Sequence, residues 1–305
     1  MFNKIWRAIT YIKNNGLNHL FYKIYKKAMY EYYKNKLVLS QEIPANKSQD
    51  NHLKNPKIVS YKKAEVPLVP DSKVSILLLF DGIKENLECC LESIIAKSTY
   101  HNYEVIIISF DELNIPIIGN KETSNKTRIV FYEKSHGLSS AVNNTVKMVE
   151  GDYIVLLSDN VKIVSPNWIE ELLSCITYQG GGIAGPLLLS SDSTLRHEDI
   201  VPKVDVNCVY EVLAVTRSCL MIDAKLYVEC KGLNEYFIKS FADLDLCLRV
   251  REMGKTVQCT PKAIIQRISI DEEVYDIVDK ALFNNCWAER LENKPFLQNN
   301  LFLGV

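Results

Sequence analysis

The sequence predicts an α/β protein built on a doubly wound, mostly parallel sheet, and three observations carry that expectation. Short, largely apolar runs at residues 74–80, 104–109 and 152–157 have the length and character of strands buried on both faces. Between them, apolar residues recur at helical spacing, as at Leu87, Cys90, Leu91, Ile94 and Ile95. The two patterns alternate, which is the order that a parallel sheet flanked by helices requires.

Each element follows from its own signals. After the strand at 74–80 and its helix come strands at 104–109 and 128–132. Leu138, Ala141, Val142, Val146 and Val149 then form a helical stripe that ends at Gly151, a residue suited to a helix terminus. The strand at 152–157 follows. Ser165-Pro166 reads as an N-cap with proline at the first helical position, opening a helix that carries Trp168, Leu172 and Ile176. The second half is less regular, with strands expected at 182–189, 218–222 and 256–259 and helices after Asp223 and Asp243.

Upstream of this block, residues 1–37 carry Lys4, Arg7, Lys13, Lys23, Lys26, Lys27, Lys34 and Lys36 against Glu31, with Phe2, Ile5, Trp6, Ile9 and Ile12 at helical spacing. This is a basic amphipathic segment. One reading is peripheral attachment to an anionic membrane surface, where each basic residue contributes about 1 kcal/mol. The other is a helix docked on the main domain with a solvated basic face. Residues 38–72, rich in Asn, Lys, Ser and Gln and broken by Pro44, Pro56, Pro67 and Pro70, read as an extended linker.

Composition excludes several classes. A formal charge of -1 argues against nucleic acid as a partner, because a phosphate-binding footprint makes a domain basic. Nine cysteines lie scattered in apolar segments and read as core thiols of a reducing, cytoplasmic compartment. The N-terminus lacks the long apolar core of a signal peptide, and no apolar run reaches the ~18 residues of a membrane span. No G-x-G-x-x-G, phosphate loop or nucleophile elbow occurs, and the five histidines are dispersed, so dinucleotide enzymes, NTPases, hydrolases and zinc enzymes fall away.

Two acidic spots remain. Ser158-Asp159-Asn160 closes the strand at 152–157, at the end of a strand where open α/β sheets bind ligands. Asp243 and Asp245 stand at the mouth of a helix, where a carboxylate can act as a base or simply cap the helix.

These segments carry a resemblance. Val74-Ser75-Ile76-Leu77-Leu78, Glu104-Val105-Ile106-Ile107-Ile108, the run from Gly137 to Asn143, the run from Gly151 to Asn160, and Gly185-Pro186-Leu187-Leu188 occur in the order seen in family 2 glycosyltransferases of the GT-A fold. Asp192-Ser193-Thr194-Leu195-Arg196-His197, Thr216-Arg217-Ser218-Cys219, Gly232-Leu233-Asn234-Glu235 and the run from Ala242 to Arg249 resemble the rhamnosyltransferase-like branch. The resemblance spans residues 73–287 and implies a GT-A domain at 73–290, followed by a tail at 291–305.

It further implies an inverting transfer from a nucleotide-diphosphate sugar to an acceptor hydroxyl on a glycan or lipid-linked acceptor, in surface polysaccharide synthesis. Asp243 would be the base. Ser109, Asp111, Asn143, Asp159, Asn160, Arg217 and Arg267 would bind the donor, and Asp159 would hold a divalent cation, magnesium or manganese.

The chain departs from the family pattern at several of these positions. Ser158 and Asn160 stand where the metal motif carries acids, and neutral oxygens are weaker ligands for a hard cation. Ser109 replaces an aspartate that contacts the nucleotide base, with Asp111 two residues on; Arg267 replaces a histidine and Arg217 a glycine. Two readings follow. Arginine, which grips phosphate in a bidentate fork, neutralises the diphosphate in place of metal. Alternatively the domain has lost turnover and is a noncatalytic binding or scaffolding protein.

Overall fold

The computed structural model describes residues 58–59, 71–111, 126–133, 137–177, 181–191, 208–269 and 276–292. The basic segment at 1–37, most of the linker, the 192–197 motif and the tail lie outside these residues.

In chain order the elements are β1 (Ile58–Val59), β2 (Val74–Leu79), α1 (Lys84–Lys97), β3 (Tyr103–Ser109), β4 (Thr127–Phe131), α2 (Leu138–Val146), β5 (Tyr153–Ser158) and β6 (Val161–Ile163). Then come α3 (Trp168–Thr177), β7 (Gly181–Leu189), β8 (Val209–Glu211), β9 (Cys219–Asp223), α4 (Ala224–Glu229), α5 (Ala242–Glu252), β10 (Thr256–Arg267) and α6 (Ile277–Glu292). They build one sheet in the order β1-β8-β10-β7-β9-β5-β2-β3-β4, with β6 alongside β10.

The strands expected at 74–80, 104–109 and 152–157 form the centre, where β5, β2, β3 and β4 pair in parallel. Their continuous apolar character follows from burial on both faces. Leu77, Leu79, Ile106, Ile108, Ile154 and Leu156 point to one face, against Ala141 and Val142 of α2 and Leu244 and Leu248 of α5. Ile76, Leu78, Val105, Ile107, Val155 and Leu157 point to the other, against Leu87, Cys90 and Ile94 of α1 and Trp168 and Leu172 of α3. Each fully buried Leu or Ile stabilises the fold by roughly 1.5–3 kcal/mol, so the period-two division of these strands fixes their register.

The second half holds the surprises. β9 enters antiparallel between β5 and β7, whereas β7 and β10 pair in parallel. β10 does not stop at Cys259: a register shift between Thr260 and Ile264 takes up Pro261, which has no N–H to give a ladder, and the strand continues to Arg267. β1 lies inside the expected linker and pairs with β8 through Ile58 and Val59, at the edge of the sheet.

Ser165 is not a cap. Its hydroxyl turns to Ile264 of β10, donating to the carbonyl and accepting from the N–H, and α3 begins at Trp168. All nine cysteines are free thiols, six of them buried. Burial pushes the thiols of Cys247 and Cys259 up to about 12, which leaves them as protonated packing residues. No described helix is long and apolar enough to cross a membrane.

Candidate active site

The parallel strands β2, β3 and β5 deliver Phe80-Asp81, Ser109-Phe110-Asp111 and Ser158-Asp159-Asn160 to one edge of the sheet. Because β9 runs antiparallel, its start, Ser218-Cys219, reaches the same edge, and β10 brings Arg267 there. This is the edge at which open α/β sheets bind ligands.

Asp159 is 1% exposed. Its Oδ2 accepts the Asp81 N–H at 3.0 Å, and its own N–H donates to the Leu79 carbonyl. Oδ1 is buried and has no hydrogen-bond partner among the described residues. Burial is the main reason the carboxyl is pushed up to about 6; the nearby Asp81 charge adds to the rise and the Asp81 N–H opposes it. The Asp159 charge in turn adds to burial in raising the neighbouring Cys90 thiol.

Its neighbours are committed to the protein. Asn160 N–H donates to Ser158 Oγ at 3.2 Å, and Asn160 Oδ1 accepts both the N–H and the hydroxyl of Ser269 at 3.0 Å. The turn is thereby locked to the end of β10. A divalent cation such as magnesium takes about six oxygen ligands, one or two of them protein carboxylates and the rest waters and substrate phosphates. Here one buried carboxylate oxygen is uncommitted, and no group of three His, Cys, Asp or Glu among the described residues is placed to hold a metal. Among the described residues, Asp159 is the carboxylate left to offer an oxygen to such a cation at this turn.

Arg267 is 7% exposed, and its Nη2 lies 3.4 Å from Ser218 Oγ. Next to Ser218, the Arg217 N–H donates to Asp243 Oδ2 at 2.7 Å, while Arg217 Nη1 donates to the Lys239 carbonyl at 2.6 Å. Asp243 and both arginines are therefore linked through residues 217–218. Asp243 is half-buried in the first turn of α5, and its Oδ1 accepts the Leu244 N–H at 3.0 Å. It is not the N-cap. That position is Phe241, at φ +66°, a left-handed conformation costly for a bulky residue and one that tends to persist at functional sites.

The other expected donor residues divide. Ser109 is fully buried, and its hydroxyl donates to the Asp111 carbonyl and accepts the Asp111 N–H, closing a tight turn at the end of β3. Asp111 is half-buried at the same edge. Asn143 is elsewhere: its amide donates to the Leu233 carbonyl and to Glu235, and its oxygen accepts from Tyr227 and from the Leu233 N–H. With every hydrogen-bonding position used, it clips α2 to the 232–235 loop. Gly232, at φ +66°, has no room for a Cβ against the Asn143 oxygen.

Asp279 escaped the sequence reading, and the partners of Asp245 are not those its place at a helix mouth suggests. Asp279 is fully buried and accepts three backbone N–H groups from the loop before α5. Asp245, also buried, accepts from Arg249 Nε and Trp287 Nε1. The only sequence signal was an acid inside an otherwise apolar helical stripe.

The fold is that of GT-A glycosyltransferase structures. Residues 78–196 match the model of glycosyl transferase family 2. It is 23% identical over 276 residues to the O-antigen biosynthesis protein RfbC of Myxococcus xanthus, covering 83% of this chain and 21% of that protein. It is 26% identical over 222 residues to the uncharacterised protein y4gI of Sinorhizobium fredii, covering 65% of this chain and 24% of that one. The chain thus spans under a quarter of the length of these relatives.

Among solved structures, the mannosyltransferase PcManGT of Pyrobaculum calidifontis, in complex with GDP-Man and Mn2+, superposes with a TM-score of 0.56 at 12% identity, covering 99% of this chain and 81% of that one. GalNAc-T7 with UDP, GalNAc and Mn2+ gives a TM-score of 0.56 at 13% identity, covering 72% of this chain and 50% of that chain.

Proposed function

We propose that this protein transfers a sugar, with inversion, from a nucleoside-diphosphate donor to a hydroxyl of a glycan or lipid-linked acceptor in surface polysaccharide synthesis. The observation that carries the reading is Asp243: a half-buried carboxylate held by the Arg217 N–H, at the sheet edge where the Asp159 turn ends β5. In this reading Asp243 removes the proton of the acceptor hydroxyl as that oxygen bonds to the anomeric carbon. The bond to the diphosphate breaks, and the diphosphate leaves with the electron pair. Stabilising it requires fixed positive charge where negative charge develops. The Arg267 and Arg217 guanidiniums supply that charge in this reading. The GDP-Man named with one structural neighbour, the UDP and GalNAc named with the other, and the O-antigen relative support this choice of substrates.

A second reading, a noncatalytic binding or scaffolding protein, is favoured by the locked Asn160 and the isolated Asp159. Incubating purified protein with UDP-, GDP- and dTDP-sugars, with and without divalent metal, separates the two. Release of nucleoside diphosphate, or transfer, supports the enzyme. No release and no binding from any donor leaves the scaffold. The membrane contact of residues 1–37 and a cytoplasmic location remain part of the proposal and rest on the sequence pattern.

A further inference from the structure

We propose that Asp279 is a positioning residue for the base: α6 sets the orientation of Asp243 by gripping the loop that precedes it. This rests on the reading of Asp243 given above. Three consecutive amides converge on one carboxylate. Ile238 N–H lies 3.1 Å from both oxygens, and the N–H groups of Lys239 and Ser240 donate to Oδ2 at 2.7 and 2.8 Å. Successive N–H groups aimed at one point form a nest for an anion, and here the anion is a side chain from a helix about 40 residues away in sequence. Asp276 secures the grip, because its Oδ1 accepts the N–H groups of Val278 and Asp279 at the start of α6.

The grip reaches the base by one further link. The Lys239 carbonyl, on the gripped loop, accepts from Arg217 Nη1, and the Arg217 N–H holds Asp243 Oδ2. Two more residues of α6 act in register. Phe283 stacks on Phe241 at 5.0 Å, and Trp287 donates to Asp245 Oδ1 at 2.9 Å. Positions 279, 283 and 287 are spaced by four and lie on one face of the helix, so a single helical stripe holds the loop, the left-handed residue and the first turn of α5 in succession. An aspartate is required at 279 because only a carboxylate offers two oxygens to three donors; an asparagine would turn an NH2 toward the same N–H groups.

The test uses Asp279→Asn in the full-length chain. The expected result is a fall in kcat of about 10²-fold with the donor KM unchanged, since misplacing a catalytic group costs about that much. In the Asp243→Asn background the same change should cost nothing further, because Asp279 acts through Asp243. A general loss of structure would instead raise the donor KM and add to the effect of Asp243→Asn, and either result overturns the proposal.

If Asp243→Asn itself retains wild-type turnover, the base assignment fails rather than the grip. Amide hydrogen exchange tests the grip without any activity. Asp279→Asn should speed exchange at residues 238–240 and also at Arg217; an unchanged Arg217 amide would mean that the grip does not reach Asp243. If the asparagine variant does not fold, Asp279→Glu, which keeps the charge and moves it by one methylene, should show the same pattern with a kcat loss of about tenfold.

Discussion

Replacing Asp159 by asparagine should change how stability depends on pH, and the size of the change follows from the environment of this carboxylate. Asp159 is buried with one oxygen bonded to the Asp81 N–H and the other unpartnered, and its carboxyl is pushed from the usual 3.8 up to about 6. Because the folded state holds the proton more tightly than the unfolded chain, this group adds stability in acid. The contribution is complete below pH 3.8 and is lost as pH rises through about 6. At pH 8 it is gone; at pH 5 it amounts to about 1.4 kcal/mol, one pH unit below the folded value.

Asparagine cannot titrate. The stability of the wild type minus that of Asp159→Asn should therefore be about 1.4 kcal/mol more favourable at pH 5 than at pH 8, whatever the constant offset between them. Urea unfolding of both proteins at the two pH values measures it. With an m-value of about 3 kcal/mol/M, the difference between their midpoints should move by about 0.5 M. A difference that stays flat across this range would refute the burial argument, and with it the view that the locked Asn160 turn leaves Asp159 desolvated.

Further outcomes follow from the same structure. If the arginines neutralise the diphosphate, UDP or GDP should bind in the presence of chelator and Arg267→Ala should weaken that binding about tenfold, one charge-assisted contact, in calorimetry. Gly232→Ala forces a side chain against the Asn143 oxygen at a positive φ and should cost roughly 1–3 kcal/mol in thermal or urea unfolding. Deleting residues 1–37 should leave the folded domain intact in circular dichroism and reduce binding to anionic vesicles at low salt; equal binding by both forms would make the segment a structural helix.

The centre of the sheet was legible because burial on both faces turns β2, β3 and β5 into unbroken apolar runs that helices cannot imitate at that length. The direction of β9 was not, since a five-residue apolar strand reads the same either way and its neighbours decide. The full extent of β10 was hidden by Pro261, which signals an end in sequence but sits at a register shift in the sheet.

At the site, Asp243 and Asp159 stood out as acids closing apolar elements. What the sequence could not reveal was how their neighbours are occupied. Asn160 looks like a ligand until Ser269, 109 residues away, takes its oxygen, and Asn143 looks available until the 232–235 loop uses its whole amide. Asp279 was invisible for the same reason: its partners are backbone groups, which carry no sequence signature.

Asp243 as the base is central to the proposed transfer. Its most direct test is Asp243→Asn, compared with wild type for turnover of the nucleotide sugar found to bind, and for the affinity of the nucleoside diphosphate itself. The amide keeps the shape and can still accept the Arg217 N–H, but it cannot take a proton. Turnover should fall by at least 10²-fold with nucleoside diphosphate affinity unchanged. Wild-type turnover in the variant would contradict the account.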